Sequence, residues 1–202
     1  MKQDAALTTR ERIKAAARDV YVLRGYDGFS FADIAAAIGT TRANIHHHFG
    51  TKQALVEELV EGFVDDAAAR IAAHWAAPGL AAALHRQLAD LRRFYLRYNA
   101  APDDRNVWSP LSRLRLDLPA LGPLAQRALE RADRHYDATI TQAVRAAIAA
   151  GELRAGTPVA DVARILRVTI LSCAPMTQDT GRFDELEQLF GALERTLLAA
   201  WG

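Results

Sequence analysis

The chain has 202 residues, half of them hydrophobic and 24% charged, with one cysteine and a net charge of +1. These totals fit one large or two small globular domains and exclude an intramolecular disulfide framework. No run approaches the roughly 18 apolar residues of a membrane span, and Met1 to Arg12 lacks the apolar core of a secretory signal, so a cytoplasmic protein with no membrane partner is expected.

Charge is uneven along the chain. Residues 1–52 hold eight Lys/Arg against five Asp/Glu, whereas residues 53–202 hold seventeen against nineteen. A basic first quarter on a near-neutral remainder suits a protein that meets phosphate at one end.

No strand pattern is present, and helical periodicity recurs from end to end, so the fold class is all-α. The first helix is predicted from Thr9 to Arg24, with Ile13, Ala16, Ala17, Val20 and Tyr21 inward and Gly25 as its stop. Ser30 caps the second, with Asp33 three residues on completing a capping box. Phe31, Ile34, Ala35 and Ile38 form its apolar stripe, and Gly39 ends it. Thr41 caps a third helix from Arg42 to about His48, Phe49-Gly50 breaks it, and Thr51 caps a fourth reaching toward Trp75. Five more helical segments follow near 80–99, 104–116, 120–150, 158–178 and 183–200. Their breaks fall at Ala101-Pro102-Asp103, Leu118-Pro119 with Gly122-Pro123, Gly151 to Pro158, and Thr180-Gly181. Thr157-Pro158 reads as an N-cap followed by proline in the first turn.

The informative segment is Phe31 to Phe49. Two short helices joined through a glycine turn make a helix-turn-helix. Ala35 is small enough for close helix approach, Gly39 accommodates a positive φ, and Ile45 plugs the space between the helices. On the third helix, Arg42 can offer guanine two parallel hydrogen bonds. Asn44 can pair with adenine or instead cap locally. Thr41, His46, His47 and Lys52 are candidate phosphate contacts, Lys52 together with the free N–H groups that open the fourth helix. The run His46-His47-His48 is no metal site, because neighbouring helical positions stand about 100° apart and cannot face one ion. Ser109, Ser112, Cys173 and the scattered histidines form no catalytic set, and there is no cofactor loop. Neither an enzyme nor a cofactor is therefore expected. Cys173, alone in an apolar helix, reads as filler or as a thiol sensor.

Residues 9–60 resemble the N-terminal domain of the TetR family of helix-turn-helix transcriptional regulators. The resemblance rests on Gly25-Tyr26-Asp27-Gly28-Phe29-Ser30-Phe31-Ala32-Asp33-Ile34-Ala35, and on Gly39-Thr40-Thr41-Arg42-Ala43-Asn44-Ile45-His46-His47-His48-Phe49-Gly50-Thr51-Lys52-Gln53-Ala54-Leu55. Family members usually carry tyrosine at the position of His46, and often Lys, Gly and Thr at those of Arg42, Ala43 and Asn44. The differences fall on the positions that meet bases and phosphates.

The resemblance implies a three-helix DNA-binding domain over residues 1–52 and an effector-binding and dimerisation domain over residues 53–202. It implies a homodimer on a palindromic double-stranded operator, a repressor more often than an activator, and a small apolar or aromatic effector. Thr41, Arg42, Ala43, Asn44, His46, His47 and Lys52 would form the DNA face. Leu91, Phe94, Tyr95, Tyr98, Trp108, Tyr136 and Ile140 lie inward at helical spacing, as cavity lining or plain packed core. Arg92, Tyr95 and His135 are candidate polar handles for the effector. Val162, Ile165, Leu166, Thr169 and Ile170 on one terminal helix, with Leu186, Leu189, Phe190, Leu193 and Leu197 on the other, form stripes that either meet a second copy or close an internal hairpin.

Overall fold

The computed structural model describes residues 7–101 and 104–202. Those residues form ten α-helices: α1 Thr9–Arg24, α2 Phe31–Ile38, α3 Arg42–Phe49, α4 Lys52–Trp75, α5 Leu80–Tyr98, α6 Pro110–Leu116, α7 Leu118–Leu121, α8 Pro123–Ala149, α9 Val159–Thr180 and α10 Asp184–Trp201. Among the described residues there is no strand, and no helix is long and apolar enough to cross a membrane.

The N-terminal helices start on their own side chains. Thr8 and Glu11 form a capping box on α1, and Ser30 and Asp33 form one on α2. Thr41 and Thr51 accept the N–H groups of Asn44 (3.1 Å) and Ala54 (3.0 Å) at the starts of α3 and α4. Each such bond satisfies a donor that the first helical turn leaves unpaired. Gly39 sits in the left-handed region at φ 65°, and the Thr40 N–H returns to the Ala35 carbonyl at 3.0 Å. Ala35 is buried at the crossing, and Ile45 is wholly enclosed between α2 and α3.

Beyond this head, α4 packs along α8 and α8 along α9, while α10 covers α5 and α9. Side-chain contacts tie α1 and the turn after it to the body. Glu58 of α4 pairs with Arg10 and Lys14, and Asp66 of α4 with Arg18. Asp19 accepts from Arg97 and from the Tyr98 hydroxyl of α5, both at 2.7 Å. Arg113 of α6 donates to the Val22 and Leu23 carbonyls at 2.8 Å each. Asp117, just after α6, accepts the Tyr26 N–H at 2.9 Å.

Three expectations are corrected. The helix foreseen over 104–116 begins only at Pro110, because Ser109 precedes a proline and takes an extended conformation, capping Ser112. The residues before it bond instead to the end of α5: the Asn106 N–H reaches Asn99 Oδ1 and its amide the Tyr98 carbonyl, both at 2.7 Å. Pro102 and Asp103 of the foreseen break lie outside the described residues. The segment foreseen near 120–150 starts at Pro123, after the foreseen break where Gly122 has φ 50°, and Leu118-Pro119, foreseen as a break, opens the four-residue α7. Thr157 is not the cap of α9. Pro158 holds that position, and the Thr157 hydroxyl donates to the Arg154 carbonyl at 2.6 Å.

Two glycines separate backbone strain from crowding. A Cβ on Gly39 would meet nothing within 4 Å, whereas one on Gly25 would stand 2.8 Å from Asp117 Oδ1. Gly39→Ala should therefore cost only the positive-φ penalty, about 1 kcal/mol. Gly25→Ala should add the collision to a backbone (φ 72°, ψ −179°) open essentially to glycine alone, and cost about 2–3 kcal/mol. Urea melts of both variants compare the two costs, and equal losses would show that Asp117 does not hold the α1 end.

Candidate nucleic-acid interface and body cavity

Every residue from Ile34 to Val56 is neutral or basic. Within that stretch Thr41, Arg42, Ala43, His46 and His47 are exposed, and Ile45 and Phe49 turn inward. The alternation follows from one helix carrying a packing stripe and an open face. Asn44 is half-buried, and its amide donates to Thr40 Oγ1 at 2.9 Å, so local bonding already occupies one of its donors. His46 meets the Phe31 ring edge-on, and His47 meets His48 the same way.

Lys52 is the first residue of α4. Its ammonium lies 4.6 Å from the Tyr26 ring centre and 4.8 Å from that of Phe29. Cation–π contacts contribute about 0.5–1 kcal/mol each at exposed sites. They fix the charge beside a helix start whose Lys52 and Gln53 N–H groups remain open, since Thr51 takes only that of Ala54. Positive charge and free amides at one point favour an anion. The part played by Tyr26 and Phe29 was missed in the sequence, although an aromatic pair around a Gly-rich loop was there to read.

In the body, a cavity of about 40 Å³ lies between α4, α5, α6, α8 and α9. Of the residues foreseen inward, Leu91, Phe94, Trp108 and Tyr136 line it. Tyr95, Tyr98, Ile140, Arg92 and His135 do not. Tyr95 is packed against Trp108 and Phe183 and donates to the Gly181 carbonyl at 3.2 Å. Ile140 is solid core. Arg92 and His135 are exposed, and Arg92 pairs with Glu187 at 3.8 Å.

The polar lining comes instead from Arg70, Gln87, Asp90, Ser109 and Arg115. Gln87 and Asp90 stand on the same stripe as Leu80, Ala83 and Leu84, and two polar residues on a buried stripe are the sequence signal that went unused. Asp90 Oδ2 lies 3.3 Å from Arg70 Nε and 3.2 Å from His74 Nε2, and Oδ1 bonds Arg93.

The terminal helices divide the foreseen stripes. Val162, Leu166, Leu186, Phe190 and Leu197 are buried within the chain itself. The reason is that α9 spends that face on α8 and α10 spends its own on α5 and α9. Ile165 stays 50% exposed, and Thr169, Leu189 and Leu193 are half-buried. The outer face also presents Val168, 51% exposed, and Leu198, neither of which was anticipated.

Comparison with known proteins agrees with this layout. Residues 13–59 match the family model described as bacterial regulatory proteins, tetR family. Over 50 residues the chain is 36% identical to the HTH-type transcriptional repressor KstR2 of Rhodococcus jostii, a match spanning 25% of this chain and 24% of that repressor. A TetR transcriptional regulator from Legionella pneumophila superposes with TM-score 0.74 at 20% identity, covering 96% of this chain and 99% of that one. One from Agrobacterium tumefaciens gives TM-score 0.67 at 25% identity over 95% and 96%. The reduced form of Escherichia coli NemR gives TM-score 0.73 at 17% identity over 93% and 95%.

Cys173 is buried and donates to the Thr169 carbonyl at 3.2 Å, and desolvation pushes its thiol up to about 12. The thiolate is the reactive form, so the native protein should resist a thiol reagent at pH 8 and react fully once unfolded. Rapid labelling of the native protein in an absorbance assay would contradict this placement.

Proposed function

We propose that this chain, a member of the TetR family of helix-turn-helix regulators, represses transcription by binding a palindromic operator as a homodimer and lets go when a small apolar or aromatic effector enters the body. The observation that carries the DNA reading is the open, acid-free face of α3 beside the ring-held Lys52. In this reading residues 1–52 are the DNA-binding domain and residues 53–202 the sensor. Arg42 reads a base edge, Thr41, Ala43, His46 and His47 lie along the groove, and Lys52 grips phosphate. Asn44, with its amide on Thr40, supports the turn before it contacts DNA. One short helix in one groove gives little affinity, so two heads about one DNA turn apart are needed. The apolar outer face of Ile165, Val168, Leu189, Leu193 and Leu198 offers the surface for a second copy.

The cavity supplies the switch. At about 40 Å³ it has space for about one or two waters, so an effector enters by displacing a wall. The shortest lining helix is α6, seven residues long, which with its caps contributes Ser109, Pro110, Leu111 and Arg115 to the cavity and grips the end of α1 with Arg113 and Asp117. An effector that displaces α6 changes the placement of the head, and by linkage DNA binding opposes effector entry to the same extent.

Fluorescence anisotropy on labelled duplex from the gene's own upstream region, against scrambled duplex at about 150 mM salt, tests the regulator reading. Arg42→Ala should cost about 1–3 kcal/mol on the specific duplex only, while Lys52→Ala should weaken both duplexes and lower the salt slope by about one. Equal affinity for both duplexes in the unmutated protein sinks sequence-specific repression. The pair Ile165→Arg with Val168→Arg should convert the dimer to monomer in light scattering while leaving the helical spectrum intact. A dimer that survives the pair places the interface elsewhere.

A further inference from the structure

The cavity is unbalanced in its hydrogen-bonding groups. Tyr136 lines it, is 7% exposed, and its hydroxyl has no hydrogen-bond partner among the described residues. Burial raises its pKa, so it remains a protonated donor. Gln87, 3% exposed, accepts from Trp75 Nε1 at 3.2 Å, and its NH2 group finds no acceptor among the described residues. Ser109 Oγ accepts the Ser112 N–H at 3.3 Å and keeps its own proton to give. Arg115 reaches in from the rim, and Asp133, the carboxylate whose field it feels, is bonded to Arg167. The one carboxylate lining the cavity, Asp90, is hydrogen-bonded by Arg93 and has its other oxygen 3.3 Å from Arg70 Nε. Donors from several elements therefore converge on the cavity, and the carboxylate that lines it already faces cations. Around them the walls are apolar: Phe63, Leu91, Phe94, Trp108, Leu111 and Ile170.

We propose that this cavity takes an apolar carboxylate, an alkanoate or arene carboxylate, whose oxygens are received by the Tyr136 hydroxyl, the Gln87 amide and the Arg115 guanidinium. The proposal rests on the cavity being the effector site and gives that effector its chemical class. A cation is disfavoured because Asp90 already faces the Arg70 and Arg93 guanidiniums and Arg115 also lines the cavity. A neutral hydrocarbon leaves the donors unanswered.

The test uses the full-length protein with benzoate, phenylacetate and octanoate, their methyl esters, and phenyl phosphate. Tryptophan fluorescence and thermal melting read occupancy, and anisotropy on the upstream duplex reads release. At least one carboxylate should bind tenfold or more tighter than its ester. Tyr136→Phe, which keeps the ring, and Arg115→Met should each weaken it by about tenfold. Esters binding as tightly as acids, phenyl phosphate binding more tightly than any carboxylate, or an affinity indifferent to both variants would overturn the proposal. Silence from the whole panel would also overturn it, while leaving operator recognition untouched. A carboxylate that binds with the foreseen dependence on Tyr136 and Arg115, yet leaves operator affinity unchanged, supports the site and instead removes its role as a switch.

Discussion

A helix ends with carbonyls that its own backbone cannot satisfy, and at the end of α1 two of them are satisfied from another part of the chain. Arg113 donates to the Val22 and Leu23 oxygens, and Asp117, four residues on, accepts the N–H of Tyr26. Positions 113 and 117 share one face of α6. Leu111 and Arg115, about 200° around the same helix by its 100° step, face the cavity. A seven-residue helix thus has one side on the DNA-reading head and the other on the body's interior, so its position is set by both.

Magnitudes decide which head–body contacts matter. The pairs from Glu58 to Arg10 and Lys14, and from Asp66 to Arg18, involve part-exposed side chains, and such pairs contribute about 0–1 kcal/mol. The α6 clamp is made of charge-assisted bonds, nearer 1.5–3 kcal/mol each. An allosteric coupling of ordinary size is about 1–3 kcal/mol. In the proposed switch, losing one clamp bond would therefore suffice, and the salt bridges along α4 would persist as the pivot. Asp19, held by Arg97 and by the buried Tyr98 hydroxyl, fixes the middle of α1, so a disturbance at α6 is expressed at its C-terminal end, where the chain turns into α2.

What the sequence made legible was local chemistry. Ser30 with Asp33, Gly39, Thr41 and Thr51 act on backbone within a few residues of themselves, so their roles follow from order alone. Interactions across the fold were not legible. Lys52 finds its rings at Tyr26 and Phe29. Asp90 finds its cations partly on α4, and Asn106 competes for the end of α5 with side-chain bonds that pre-empt a helix there. The two stripes of α9 and α10 illustrate a subtler limit. Period alone identifies an apolar face, but both helices are apolar over more than one face, and only the packing of α8 and α5 decides that Leu166 and Phe190 go in while Ile165 and Val168 stay out.

The small volume of the cavity bears on how a switch of this kind divides its energy. In a preformed pocket most of a ligand's binding free energy appears as affinity, and little is left to distinguish two conformations. Phe94, Leu111 and Ile170 line the cavity already, and in the proposed switch a ligand larger than the cavity would gain further apolar contact only as the wall yields, in one state alone. Only interaction that differs between states can shift their populations. In the proposed switch, a small cavity with waiting donors trades affinity for coupling: polar groups supply recognition in the space that exists, and the apolar remainder of the ligand acts on the helix that holds α1.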